Sequence, residues 1–318
     1  MVTRIKTAVI GVGKMGALHA RIFSEVSELV AVVDKNEELA KQTAKKFSCK
    51  AYNSYENLLR EEKIDAVSVV VPTVFHYQVA TFFLDKKIPV LLEKPISNDL
   101  IQAKRIIDRA RENKVLLMVG HLERFNPAVI KLKQMIKKGE IGQISNIIAR
   151  RVGGFAKQIR DVNIAVDLAI HDIDIVNYLL DEYPRLVISD KRKVLKIEQE
   201  DAVEFFLKYQ NATALIQANW ITPVKIRKLN ITGSKGYLEL DYINQEIIFY
   251  ENVLKKYQSF TGGFSNFISD FAEPKKRLIK ITKREPLKEE IITFLKLSRK
   301  KELRDNSHAL EALRIALH

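Results

Sequence analysis

The sequence predicts an α/β protein: an N-terminal Rossmann-type parallel sheet, then a C-terminal α+β domain built on one large, mostly antiparallel sheet. Over the first 120 residues, short Val/Ile/Leu runs alternate with segments of helical periodicity. Strands of that kind are buried on both faces by helices. A glycine-rich turn joins the first strand to the first helix. After residue 121 strands and hairpin turns dominate, so the boundary is drawn there, 1–121 and 122–318.

In order, "KTAVIG" (6–11) is a short apolar strand and "KMGALHARIFSEV" (14–26) a helix. "LVAVVD" (29–34) is a strand and "EELAKQTAKKF" (37–47) an amphipathic helix. "DAVSVVV" (65–71), "IPVLLE" (88–93) and "VLLMVG" (115–120) are further strands, separated by helices. A helix at 127–138 then leads into a long strand, "GQISNIIARRVGG" (142–154). "AVDLAIHDIDIV" (165–176) is a helix, apolar nearly all round. Strands follow, with "YQNATA" and "TGSKGY" as hairpin turns, and helices return near "LKEEIITFLKLSRKK" and "NSHALEALRIALH".

The 318 residues carry 53 Lys and Arg against 39 Asp and Glu, a formal charge of +14. The basic residues are spread along the chain at helix-surface spacing, as in "KLKQMIKK" and "KRLIKITKR". No basic run is interleaved with aromatics, and no helix-turn-helix or zinc signature occurs. Nucleic acid is therefore not an expected partner, nor is a metal expected. Part of the charge can draw in an anionic substrate. No segment approaches the roughly 20 apolar residues of a membrane span. The first apolar run, "TAVIGVG", is too short for a signal peptide. Cys49 is the only cysteine, which excludes an intrachain disulfide and fits a cytoplasmic address.

"GVGKMG" places Gly11, Gly13 and Gly16 in a G-x-G-x-x-G pattern, with Val12, Lys14 and Met15 between them. The first glycine permits the tight turn, the second lets a pyrophosphate approach the backbone, and the third lets helix and strand pack closely. The helix N-terminus then faces the phosphates. Asp34 ends the next strand, where a carboxylate can accept hydrogen bonds from an adenine-ribose diol. It would repel the 2′-phosphate of NADP, so NAD is favoured, although Lys35 could partly neutralise that phosphate. "VVVPTVFH" ends a strand with Pro72, Thr73 and His76 at the ligand crevice. His76 either caps the following helix or forms a wall near the nicotinamide. "LLEKPIS" brings Glu93, Lys94 and Pro95 to the crevice mouth. Lys94 could hydrogen-bond a reacting hydroxyl; a surface Glu–Lys pair is the alternative.

The helix at 165–176 carries Asp167, His171 and Asp174, spaced by four and then three. At the helical repeat they fall in a wedge about 60° wide. A buried helix needs a reason to keep such a stripe. Asp167 near the helix start could be its N-cap, and Asp174 a structural partner within the domain.

The glycine turn, the acidic end of strand two, "P-x-x-x-H", "EKP" and "D-x-x-x-H-x-x-D" occur in that order. Over essentially the whole chain this resembles the Gfo/Idh/MocA family, named for glucose–fructose oxidoreductase and inositol dehydrogenase. The resemblance implies that Lys94 and His171 are the catalytic pair, with Asp167 beside them at the substrate. His171 would take the proton of a sugar hydroxyl, a task suited to its near-neutral pKa. "GHLERFNPAV" (120–129) and "IRDVNIAVDLAIHDID" (159–174) are similar to the branch that oxidises C3 of UDP-N-acetylglucosamine. Arg124 and Arg160 are then candidates for diphosphate or sugar contacts, and Asn126 for a sugar hydroxyl or amide. Each could equally be domain scaffolding. The expected substrate is a nucleotide-sugar; inositol or a free sugar is the alternative. A non-catalytic NAD-binding regulator on the same scaffold is a further one. A homodimer or homotetramer through the C-terminal sheet is expected.

Overall fold

The structure is a computed structural model that describes residues 4–154, 162–195, 197–252 and 274–318. Its first sheet is entirely parallel. Strands β1 (Lys6–Ile10), β2 (Glu28–Val33), β3 (Lys50–Tyr52), β4 (Ala66–Val69), β5 (Val90–Glu93) and β6 (Leu117–Gly120) lie in the order β3-β2-β1-β4-β5-β6. Helices α1 (Lys14–Val26), α2 (Glu37–Phe47), α3 (Tyr55–Glu61), α4 (His76–Asp85) and α5 (Leu100–Glu112) connect them. The apolar residues of the central strands β1, β4, β5 and β6 are buried, as a sheet covered on both faces requires. Asn36 and Asp99 cap α2 and α5 by accepting from backbone N–H groups of their first turns. The strand order reverses between β1 and β4, which opens a crevice at their carboxyl ends.

Helix α6 (Pro127–Lys137) leads into the second sheet. Its strands are β7 (Ile144–Val152), β8 (Leu186–Arg192), β9 (Ala202–Lys208), β10 (Thr213–Asn219), β11 (Ile226–Gly233), β12 (Gly236–Asp241), β13 (Glu246–Glu251) and β14 (Lys275–Ile279). They run β14-β13-β12-β11-β7-β10-β9-β8, and every pairing is antiparallel except β10 with β7. The two expected hairpin turns join β9 to β10 and β11 to β12. Helix α7 (Ile170–Leu180) packs on the inner face of this sheet with its apolar side chains buried.

Two local readings change. "KRLIKITKR" has lysines at helical spacing, yet Lys275–Ile279 pairs as an edge strand with β13. A free strand edge offers a ladder, and lysines on the outermost strand discourage further pairing. The helix read from residue 165 begins as a π-type turn, Ala165–Ala169, before α7 proper. Asn163, not Asp167, accepts the Val166 N–H at its start. The Asp167 carboxylate instead takes side-chain donors, Lys94 and Trp220.

The last two helices return toward the first sheet. Leu287, Ile291 and Phe294 of α8 (Pro286–Lys300) share a core with Val9 and Phe23, and the helix packs on α1. Helix α9 (Ser307–Leu317) packs on α7 and α5. Among the described residues no helix is long and apolar enough to cross a membrane.

Candidate active site

The glycine turn has the shape its sequence requires. Gly11 sits at φ +87°, and a Cβ there would lie 2.5 Å from the Val70 carbonyl oxygen. A Cβ on Gly16 would come within 1.9 Å of the Gly11 carbonyl oxygen. Any side chain at Gly16 would push α1 off β1. The space over Gly13 is open, with nothing within 4 Å of a Cβ position. Open backbone at the N-terminus of a helix is what a pyrophosphate needs.

Asp34 anchors the turn. Its carboxylate accepts the Val12 N–H at 2.8 Å and the Asn36 N–H at 2.9 Å. Lys35 points across the same mouth, its Nζ 4.5 Å from the centre of the Phe75 ring. These residues, with Pro72 and Tyr55, line a 420 Å³ cavity beside the end of β2. It adjoins a second cavity of 690 Å³ that runs from Gly13, Lys14, Met15 and Gly16 past Thr73 and His76 to Glu93, Lys94 and His171. An adenosine half, a phosphate turn and a nicotinamide half are thus present in order, and the residues fit NAD.

Lys94 and the start of the α7 segment meet at the far end. Lys94 Nζ donates to the Asp167 carbonyl at 2.7 Å and to its Oδ1 at 3.2 Å. Trp220 Nε1 donates to Asp167 Oδ2 at 3.3 Å. Asp167 is therefore held from two sides. An ammonium has three donors, so two bonds to Asp167 leave one for a ligand. His171 lines the same cavity. Burial, reinforced by the Lys94 and Arg151 cations, holds its imidazole well below the ordinary pKa and keeps it neutral.

Buried networks fix both partners. Glu93 accepts from the Lys94 N–H at 3.1 Å and pairs with His19 Nε2 at 3.0 Å. His19 Nδ1 lies 2.8 Å from Ser68 Oγ. Burial alone would raise the Glu93 pKa, but His19 and Lys94 outweigh it and hold the carboxyl below its usual range. On the other side, Arg151 of β7 donates to both oxygens of Asp172, at 2.6 and 3.0 Å, and to Glu123 at 2.9 Å. Asp172 directly follows His171, so this pair ties α7 to the sheet.

The remaining predicted residues divide. Arg124 makes a bidentate pair with Asp174, at 2.7 and 2.8 Å, which engages both Asp174 oxygens inside the fold. Asn126 caps α6 through the Ala128 N–H and donates to the Tyr242 carbonyl, so its amide is engaged at the domain junction. His76 bridges the Pro95 and Val71 carbonyls at 2.8 and 2.9 Å while forming part of the cavity wall. Arg160 lies outside the described residues. Sequence reading missed Trp220, Arg151, Asp172 and Glu123. Only the absence of a reason for an arginine in the apolar run of β7 signalled any of them.

Two other features lie apart from this chemistry. A 760 Å³ cleft opens at the amino ends of the parallel strands. Its Lys87 and Lys114 are exposed residues just past the ends of α4 and α5, where cations complement helix C-termini. His121, Asp174 and His308 gather ligand atoms within 4.8 Å of one another. There the Arg124 guanidinium already neutralises the carboxylate.

Comparison with known proteins gives the family. A family model described as an oxidoreductase family with an NAD-binding Rossmann fold matches residues 5–121. A second, described as a GFO/IDH/MocA C-terminal domain, matches residues 129–239. UDP-N-acetylglucosamine 3-dehydrogenase of Acidithiobacillus ferrooxidans is 30% identical over 250 residues, 77% of each chain. Myo-inositol 2-dehydrogenase of Thermotoga maritima is 26% identical over 266 residues, again 77% of each. A solved structure of the Acidithiobacillus enzyme has a TM-score of 0.84 at 27% identity, covering 100% of this chain and 96% of that one. The chain belongs to the Gfo/Idh/MocA family of NAD-binding oxidoreductases and is a dehydrogenase acting on CH–OH groups.

Proposed function

We propose that this dehydrogenase oxidises a secondary sugar hydroxyl to a ketone, at C3 of a UDP-N-acetyl-hexosamine. The observation that carries the chemistry is the meeting of Lys94, Asp167 and His171 at the nicotinamide end of the NAD cavity. When bound, NAD supplies the hydride acceptor. His171, held neutral, takes the proton from the reacting hydroxyl oxygen. Lys94 Nζ gives its remaining hydrogen bond to that oxygen and stabilises the charge that builds on it. Asp167, fixed by Lys94 and Trp220, sets the ammonium's direction. Asp34 selects NAD over NADP by repelling a 2′-phosphate.

The choice of a nucleotide-sugar is supported by the 30% identical relative and by the chain's formal charge of +14, which suits an anionic substrate. A polyol such as inositol is the second reading, favoured by the inositol dehydrogenases among the relatives. The deciding assay follows absorbance at 340 nm with NAD and a panel of UDP-N-acetylglucosamine, UDP-glucose, myo-inositol and glucose. Turnover of UDP-N-acetylglucosamine well above the rest is expected. Turnover of myo-inositol alone would replace this reading with the second.

The working unit is a homodimer or a larger assembly built through the open face of the second sheet. Helices cover the other face. On the open face Ile188, Phe206, Leu215 and Ile148 are directly opposed neighbours across β8, β9, β10 and β7. Ile188, Leu215 and Ile148 are about half exposed, at 53%, 49% and 46%. A contiguous apolar row of this kind is matched by a second copy of itself. A cytoplasmic setting fits the single cysteine.

A further inference from the structure

Arg227 stands on β11 directly opposite Arg151 of β7, on the inner face of the sheet. Like charges opposed across two strands repel. Arg151 has its reason, since Asp172 and Glu123 neutralise it. Arg227 has no such partner among the described residues. Its printed hydrogen bonds run from Nη1 to two backbone carbonyls, Val152 at 2.6 Å and Ile226 at 2.9 Å. Those bonds aim the guanidinium, and no carboxylate of the described residues is in ion-pair contact with it; Asp172, Asp167 and Glu123 act on it only from a distance. The side chain is partly buried, with both Nη atoms beside Gly153, 3.9 Å from where its Cβ would stand. Burial and the Arg151 cation together push its pKa below the usual arginine value. Arg151, across from it, pairs with Asp172, the residue after His171, so Arg227 stands on the side of the sheet that carries this helix, and its charge acts on His171 and Asp167.

A half-desolvated cation opposite another cation, with no carboxylate of the described residues in ion-pair contact, is costly unless a ligand brings an anion. We infer that Arg227 is the receptor for an anionic group of the substrate, carried a few bonds from the reacting carbon. The fork of a guanidinium matches the oxygens of a phosphate or a carboxylate. On the nucleotide-sugar reading, on which this choice rests, the group is the phosphate on the anomeric carbon, two carbons from C3. Arg227 then separates a sugar phosphate ester from neutral polyols of similar shape. A sugar carboxylate is the other source of the same chemistry.

The test measures steady-state kinetics of the full-length enzyme with NAD on UDP-N-acetylglucosamine, N-acetylglucosamine 1-phosphate, glucuronate and myo-inositol. The proteins are wild type, Arg227→Gln and Arg227→Lys, with NAD binding by titration as the check on folding. Arg227→Gln is expected to raise KM for the phosphorylated sugars by about 10- to 100-fold, as loss of a charge-assisted bond does. kcat should fall much less, the NAD dissociation constant should hold, and Arg227→Lys should recover part of the loss. If UDP-N-acetylglucosamine is turned over and Arg227→Gln leaves its KM unchanged, the receptor role is wrong and the proposed function stands. Preference for glucuronate, with KM raised by Arg227→Gln, keeps the receptor and overturns the nucleotide-sugar. Turnover of myo-inositol alone overturns both.

Discussion

Lys94 makes two hydrogen bonds to a single residue, and both are on Asp167. On the proposed mechanism its role is directional as well as electrostatic. Lys94→Ala should lower kcat by about 10² to 10⁴ while NAD titration gives a near-wild-type dissociation constant, because the phosphate turn and Asp34 are untouched. Retention of the wild-type rate would remove Lys94 from the chemistry. Asp34 allows a separate test at the opposite end of the cavity. Asp34→Ser should weaken NAD more than NADP, read as the ratio of kcat/KM for the two cofactors; an unchanged ratio contradicts the repulsion argument. Lys94, His171 and Asp34 were legible because each follows a recognisable apolar run at a fixed offset. Trp220 was not, because its meeting with Asp167 spans 53 positions and depends on where β10 ends. Arg124 was misleading for a related reason. An arginine fork suits a diphosphate and a carboxylate equally, and only the fold shows that Asp174 claims it.

At the scale of elements, α7 is the part on which the site depends. It is apolar almost throughout, yet it buries Asp172 and Asp174, each paired with an arginine from another element. Removing one partner of such a pair leaves a buried charge unpaired and costs about 3–5 kcal/mol. Asp172→Asn should lower stability by that order in urea unfolding. A loss below about 0.5 kcal/mol, the range of an ordinary surface change, would show that the pair does not anchor the helix. The stripe on this helix could be read from its spacing, but its division of labour could not. Asp167, which Lys94 and Trp220 hold, lies in a π-type turn, and helical periodicity assumes a regular entry. The edge strand β14 was hidden by the same assumption, since its lysines satisfy a helical repeat as well as a strand edge.

For the molecule as a whole, three imidazoles are held neutral, His121 buried and His171 and His308 partly so. Burial and the Arg124 cation bring His121 and His308 each down to about 3, and His171 is also held well below its ordinary value. In the unfolded chain these groups titrate near 6.5. Below that pH the unfolded state takes up protons that the folded state refuses, so stability is retained above about 6.5 and falls with acidification. The loss should be of order 1 kcal/mol per pH unit for each histidine, visible as a falling urea midpoint; a flat midpoint down to pH 5 would contradict it. Association through the open sheet face is checked by light scattering. Leu215→Lys together with Ile148→Lys should yield monomers, whereas an unchanged mass would place the interface elsewhere. On the proposed mechanism His171, poised neutral beside Lys94, takes the alcohol proton. That step is tested by the pH dependence of kcat/KM for NAD reduction at 340 nm with the preferred sugar, in wild type and His171→Asn. The wild type should stay flat from neutral pH to below 6.5 and fall only in more acidic buffer, and His171→Asn should lose most of the rate together with that acid limb. A His171→Asn enzyme with the wild-type rate and the same limb would contradict the account.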